Sequence, residues 1–146
     1  MSSFPKHLLT ASDLNQNHIH LLFNKAKELE DNYDKNAKFS DLLGTTIALV
    51  FFENSTRTRL SFELAAHRLS AETIVFSAST SSLNKGESLA DTIRTIDAML
   101  VDMYVVRHQN AGVPSFIAGL TNGSVINAGD GKHEHPTQSL LDTYTL

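Results

Sequence analysis

At 146 residues, with 41% hydrophobic and 19% charged residues, the chain has the composition of one globular domain, long enough to bury roughly 70% of its unfolded surface. Its net charge of −4 and pI near 5.9, without a lysine- or arginine-rich stripe, argue against nucleic acid as the main partner. The absence of cysteine excludes disulfides, thiolate nucleophiles and cysteine zinc sites. The N-terminal MSSFPKHLLTASDL lacks the pattern of a signal peptide, and no run approaches the roughly 18 apolar residues of a membrane helix. A soluble cytoplasmic protein is therefore expected.

In chain order, Ser12-Asp13-Leu14 reads as a helix start, continued by Ile19, Leu22, Ala26 and Leu29. The unbroken apolar run at 47–52 predicts a first strand. Phe62, Ala65, Ala66 and Leu69 then recur at helical spacing. A second strand is predicted at 73–76, followed by a helical face of Leu89, Ile93, Ile96 and Leu100. A third strand at 103–106, a short helix at 113–120 and a fourth strand at 125–128 follow. A last helix begins near Pro136. None of the four strands alternates with polar residues, which is how strands buried on both faces of a parallel sheet read. The predicted class is α/β: a parallel sheet of about four strands with helices on both faces, joined by right-handed crossovers. There is no internal repeat or low-complexity linker, and the final SLLDTYTL ends without a cap signal, reading as a cut at a domain boundary.

Ligands of open α/β sheets bind beyond the carboxyl ends of the strands. After the first strand comes Glu53-Asn54-Ser55-Thr56-Arg57-Thr58-Arg59. A helix starting near Ser55 offers unpaired N–H groups and the positive end of its dipole to an anion. Hydroxyls from Ser55, Thr56 and Thr58 and the fork of Arg57 would add to it. Capping by Ser55 or Asn54 is the plainer alternative. It leaves the arginines unexplained, since a cation at a helix N-terminus costs about 0.3–1 kcal/mol, and a bound anion reverses that sign. Anion binding is the better reading.

After the second strand lies the polar loop SASTSSLNKGES, with Lys85-Gly86 its most notable feature, unless it is simply a surface loop. Arg107-His108-Gln109 follows the third strand. Beyond the fourth, Gly129 and Gly131 permit a tight turn, after which His135 and Gln138 would point back into the crevice from a helix start at Pro136. A metal at His133, Glu134 and His135 lacks an obvious third or fourth ligand partner nearby. A Ser55–His135 nucleophile lacks a G-x-S-x-G elbow. Neither G-x-G-x-x-G nor a P-loop is completed.

Ser55-Thr56-Arg57-Thr58-Arg59 followed by Ser61-Phe62-Glu63 resembles the carbamoyl phosphate signature of the carbamoyltransferases. Lys85-Gly86-Glu87-Ser88 and His135-Pro136-Thr137-Gln138 are further family features in the same order, and the resemblance covers essentially all 146 residues. Asn127-Ala128-Gly129-Asp130-Gly131, Val106-Arg107-His108 and Ser81-Ser82-Leu83 are similar to the catalytic chains of the aspartate branch rather than the ornithine branch. The resemblance implies that residues 1–146 are a carbamoyl-phosphate-binding domain, with the amino-acid-binding second domain absent. It implies transfer of the carbamoyl group from carbamoyl phosphate to the α-amine of L-aspartate, in pyrimidine biosynthesis, without a cofactor or metal. Ser55, Thr56, Arg57 and Thr58 would hold the phosphate, Thr58, Arg107 and His135 the carbonyl oxygen, and Gln138 the carbamoyl NH2. Ser82 and Lys85 would reach a neighbouring subunit's site in a homotrimer, with a regulatory chain as a possible further partner. The isolated chain would then be inactive. An ornithine or other carbamoyltransferase, and a non-catalytic anion-binding module, are the alternatives.

Overall fold

Four runs of β-branched and aromatic residues assemble the sheet at the centre of the computed structural model, which describes residues 3–34, 36–78 and 86–146. The strands are β1 (Thr46–Phe51), β2 (Glu72–Ser77), β3 (Met103–His108) and β4 (Ser124–Asp130). They lie in the order β2-β1-β3-β4, all parallel. The helices are α1 (Gln16–Asp31), α2 (Thr56–Arg68), α3 (Leu89–Asp97), α4 (Val113–Ala118) and α5 (Pro136–Thr145). No helix among the described residues is long and apolar enough to cross a membrane.

The pleat divides the core in two. Ala48 and Val50 of β1, with Tyr104, Val106 and Val125, pack against Ile93 and Ile96 of α3 and Ile117 of α4. Ile47, Leu49 and Phe51 point the other way, with Val105 and Ala128, and meet Ala66 and Phe62 of α2. The crossover through α2 steps outward from β1 to β2, whereas α3 carries the chain back past β1 to β3. Right-handed crossovers in opposite directions place their helices on opposite faces. The switch point of this sheet is therefore the gap between the carboxyl ends of β1 and β3.

Three local expectations are corrected. β2 is an edge strand rather than one buried on both faces, and Val75 is 43% exposed. The opposite edge, along β4, is covered instead by the N-terminal segment: Leu8 donates to Val125 O at 2.8 Å and accepts from Asn127 N at 2.9 Å. Helix α1 begins at Gln16, because Asn15 caps it by accepting from His18 N at 2.9 Å. Asp13 is occupied earlier, accepting from Leu9 N and Thr10 N at 2.7 and 2.8 Å, and so closes a separate turn. Finally, α3 stops at Asp97, and Leu100 sits at φ 61° with 85% exposure. Val101, 5% exposed, enters the core in its place.

Ile93→Ala should therefore cost about 2–5 kcal/mol in urea unfolding, as cavity-forming core truncations do. Leu100→Ala should stay within about 0.5 kcal/mol. Similar losses for the two would contradict this packing.

Candidate functional site

Helix α2 opens beyond a strand that is buried from Ile47 to Phe51, so its unpaired N–H groups face the carboxyl end of the sheet. Ser55 occupies the N-cap position at φ −144°, yet no side-chain cap bond forms there. The hydroxyl that simple capping would have consumed is thus not used for it. Arg57 lies exposed in the first turn, and no carboxylate among the described residues pairs with it. Arg59, one turn in, faces Glu63 at 3.5 Å and serves the helix itself.

Across the gap, Arg107 is the penultimate residue of β3. Its Nε lies 2.6 Å from Glu53 Oε1, an ionic contact without hydrogen-bond alignment, while Nη1 donates to Ala128 O at 2.8 Å. Glu53 is thus the partner that a strand-end arginine requires. The guanidinium can lie this close to β4 only because residue 129 is glycine. A Cβ there would sit 2.6 Å from Nη1 and 3.3 Å from His135 Cδ2, and the backbone is at φ +117°.

The loop from β4 to α5 is held from below by Asp130, which is 2% exposed. Its carboxylate accepts from Gly112 N at 2.8 Å, Glu134 N at 2.9 Å and Asn127 Nδ2 at 3.1 Å, with His133 Nδ1 at 3.0 Å. Burial, the largest single influence, works to raise the Asp130 pKa. The hydrogen bonds from Gly112, Asn127, Glu134 and His133 outweigh it and hold the group below the ordinary carboxylate value. Asn127, 1% exposed, ties the same loop to Leu9 O at 2.9 Å and accepts from Gly129 N at 2.8 Å.

This loop delivers His135 to the N-cap position of α5, ahead of Pro136. Burial, and then the neighbouring Arg107 charge, press the His135 pKa below 6.5. The neutral ring is therefore the form present at pH 7. Because the folded-state value lies below the unfolded one, acidification through about 6.5 favours the unfolded chain. Its Nδ1 lies 3.2 Å from Thr137 Oγ1. Gln138 donates from Nε2 to Asp142 Oδ1 at 2.8 Å, which turns its carbonyl oxygen away from that contact.

Arg57, Thr58, His135 and Gln138 line one cleft of about 600 Å³ between the first turns of α2 and α5, floored by Phe62, Ala65 and Leu141. Ser55 and Thr56 line a separate hollow of about 250 Å³ with Glu53 and Arg59, walled by Val75 and Ser77 of β2. Arg107 and His135 share a third, also about 250 Å³, with Lys132 and His133. The expected residues of α2, β3 and α5 are thus divided among three hollows: His135 is shared by the cleft and the hollow of Arg107, whereas Ser55 and Thr56 line one on the β2 side of β1. Ser82 and Lys85 lie outside the described residues. No group of three or more His, Asp or Glu side chains among the described residues could hold a metal ion. Gly129 was expected to permit a tight turn, whereas Asp130, Asn127 and Glu53 carried no expected role at the site. The only signal was the polar, glycine-rich composition of the strand ends.

The family model for the aspartate/ornithine carbamoyltransferase carbamoyl-P binding domain matches residues 6–146. The chain belongs to this family. The chain is 52% identical, over 97% of its length, to the aspartate carbamoyltransferase catalytic subunit of Cytophaga hutchinsonii, and covers 46% of that protein. It superposes with a TM-score of 0.89 on 43% of the Trypanosoma cruzi aspartate transcarbamoylase crystallised with carbamoyl phosphate and aspartate, covering 95% of this chain at 37% identity. For the catalytic subunit of M. jannaschii aspartate transcarbamoylase the TM-score is 0.87 at 42% identity, over 97% of this chain and 46% of that one. The chain thus spans less than half the length of each of these carbamoyltransferases.

The close approach of Arg107 to Gly129 separates two kinds of glycine substitution. Gly44→Ala, at φ +81° with open space around it, should cost only backbone strain. Gly129→Ala should cost about 1–3 kcal/mol more in urea unfolding, from the added overpacking. Equal losses would show that Arg107 does not depend on the missing Cβ.

Proposed function

We propose that residues 1–146 are the carbamoyl-phosphate-binding domain of an aspartate carbamoyltransferase, with the amino-acid-binding half supplied by a domain outside them. The observation that carries this is the single cleft in which Arg57 and Thr58 of α2 face His135 and Gln138 of α5. An unneutralised arginine over a helix N-terminus suits a phosphate dianion. The His135 imidazole and the Gln138 amide in the same cleft, with Arg107 beside His135, suit the smaller, planar end of the same ligand. The similarity to named aspartate carbamoyltransferase catalytic subunits favours L-aspartate over ornithine as the acceptor amine.

In this reading Ser55, Thr56, Arg57 and Thr58 hold the phosphate. The α-amine of aspartate attacks the carbamoyl carbon directly, forming the C–N bond, and the C–O bond to phosphate breaks. The amine proton leaves with the phosphate or to solvent, giving N-carbamoyl-L-aspartate. Thr58, Arg107 and His135 stabilise the oxyanion of the tetrahedral intermediate, the demand that usually carries the largest catalytic effect. A neutral His135 whose Nδ1 accepts from Thr137 would carry its proton on Nε2, as a donor to that oxyanion. Gln138, with its NH2 spent on Asp142, presents the acceptor that a carbamoyl NH2 requires. No covalent nucleophile or cofactor enters this route.

The wider assembly follows the same reading: a cytoplasmic homotrimer in pyrimidine biosynthesis, with Ser82 and Lys85 completing a neighbour's site and a regulatory chain as a further partner. Residues 1–146 by themselves then bind carbamoyl phosphate without turnover.

Calorimetric titration of the chain tests the site. Carbamoyl phosphate should bind more tightly than inorganic phosphate; His135→Ala should erase that preference, while Arg57→Ala should weaken both ligands. Equal binding of the two ligands by the parent chain would favour a plain anion-binding module. In the complete enzyme, His135→Ala should lower kcat by about 10²–10³, and a loss below about fivefold would count against the assignment. The shared site has its own test. Inactive Arg57→Ala and Lys85→Ala parents, mixed, should recover partial activity in hybrid trimers, and no recovery would exclude a site built across subunits.

A further inference from the structure

The mechanism above leaves unused the most deeply buried carboxylate at the site. Asp130 is 2% exposed, and a buried carboxylate is retained only where its lone pairs are filled. Here the backbone donors come from Gly112 at 2.8 Å, opening α4, and from Glu134 at 2.9 Å, immediately before His135. Side-chain contacts come from Asn127 at 3.1 Å and His133 at 3.0 Å. Two further backbone bonds close the loop: Asp130 N donates to Glu134 O at 3.1 Å, and Gly131 N donates to His108 O at 2.9 Å. Asp130 therefore joins the end of β4, the start of α4 and the entry to α5 at a single acceptor.

We propose that Asp130 is a positioning residue, whose carboxylate sets the path of the loop 130–135 and thereby fixes where His135 meets the carbamoyl end of the ligand. The chemistry of the site demands an acceptor-only group. The backbone N–H groups of Gly112 and Glu134 approach different carboxylate oxygens, Oδ2 and Oδ1. An asparagine would turn its NH2 onto one of them, leaving two donors face to face. A neutral substitute is consequently not isosteric in function, even though its shape is the same. The phosphate end, built on α2, has no bond to Asp130 and stands apart from this support. This inference rests on the carbamoyl phosphate reading, and its test separates the two.

The experiment is Asp130→Asn in the 146-residue chain, with folding checked by circular dichroism. Inorganic phosphate affinity should stay within about threefold of the parent, whereas the preference for carbamoyl phosphate over phosphate should fall by about tenfold, as loss of one well-placed donor implies. The His135 titration midpoint, followed by proton NMR, should rise towards 6.5 as the ring gains water. A folded Asp130→Asn with the parent's preference and the parent's His135 midpoint would overturn the proposal. Should this variant not fold, His133→Ala decides. It removes one half-exposed partner, and should lower the preference about two- to threefold and move the midpoint in the same direction; no change in either would overturn the proposal. If the parent shows no preference between the two ligands, the carbamoyl phosphate reading fails. The His135 midpoint then decides the positioning role alone.

Discussion

The direction of the chain reverses once within the sheet, and everything at the site depends on that reversal. Because α2 leaves β1 for one face and α4 leaves β3 for the other, the carboxyl ends of these neighbouring strands part. The gap leaves the first turn of α2 open, with Thr56 and Arg57 exposed. Backbone N–H groups, hydroxyls and an arginine can then converge there at no cost to the core. Shifting either crossover to the other face would close the gap, and the same motif residues would face a packed interior.

Charge at the switch point is balanced unevenly. Arg107 is held by Glu53 and by Ala128 O, so it is fixed in place before any ligand arrives. Arg57 has no such partner among the described residues and lies where the α2 dipole makes a cation unfavourable. The first arrangement gives geometry and the second gives affinity for an anion. His135 stays neutral for related reasons. Its burial and the charge of Arg107 both oppose a second positive charge at the mouth of the cleft.

Precision at the α5 end comes from the backbone of the β4–α5 loop rather than from the side chains that face the cleft. Gly129 lets a guanidinium lie against the chain, and Asp130 with Asn127 fills the interior of the turn with hydrogen bonds. The apolar core then makes that turn rigid from below, since Val125 and Ala128 are fully buried beside it. The loop is thus short, glycine-rich and polar, yet well ordered in its contacts.

Local periodicity determined the four strands, the central helices and the α/β class, because buried strands and amphipathic helices write their spacing directly into the residue order. The clustered hydroxyls and arginines at 55–59, and the His135–Gln138 helix start, were legible for the same reason: function concentrated them in short stretches. Tertiary structure decided what no single stretch contains. That β2 is an edge follows from strand order. That Leu100 leaves the core follows from Val101 reaching it first. That α1 starts at Gln16, behind the Asn15 cap, follows from Asp13 being claimed by Leu9 and Thr10. That Asp130, Glu53 and Gly129 matter follows from partners far along the chain. An acidic residue or a glycine acquires such a role only through its neighbours in space, and those are set by the packing of the whole sheet.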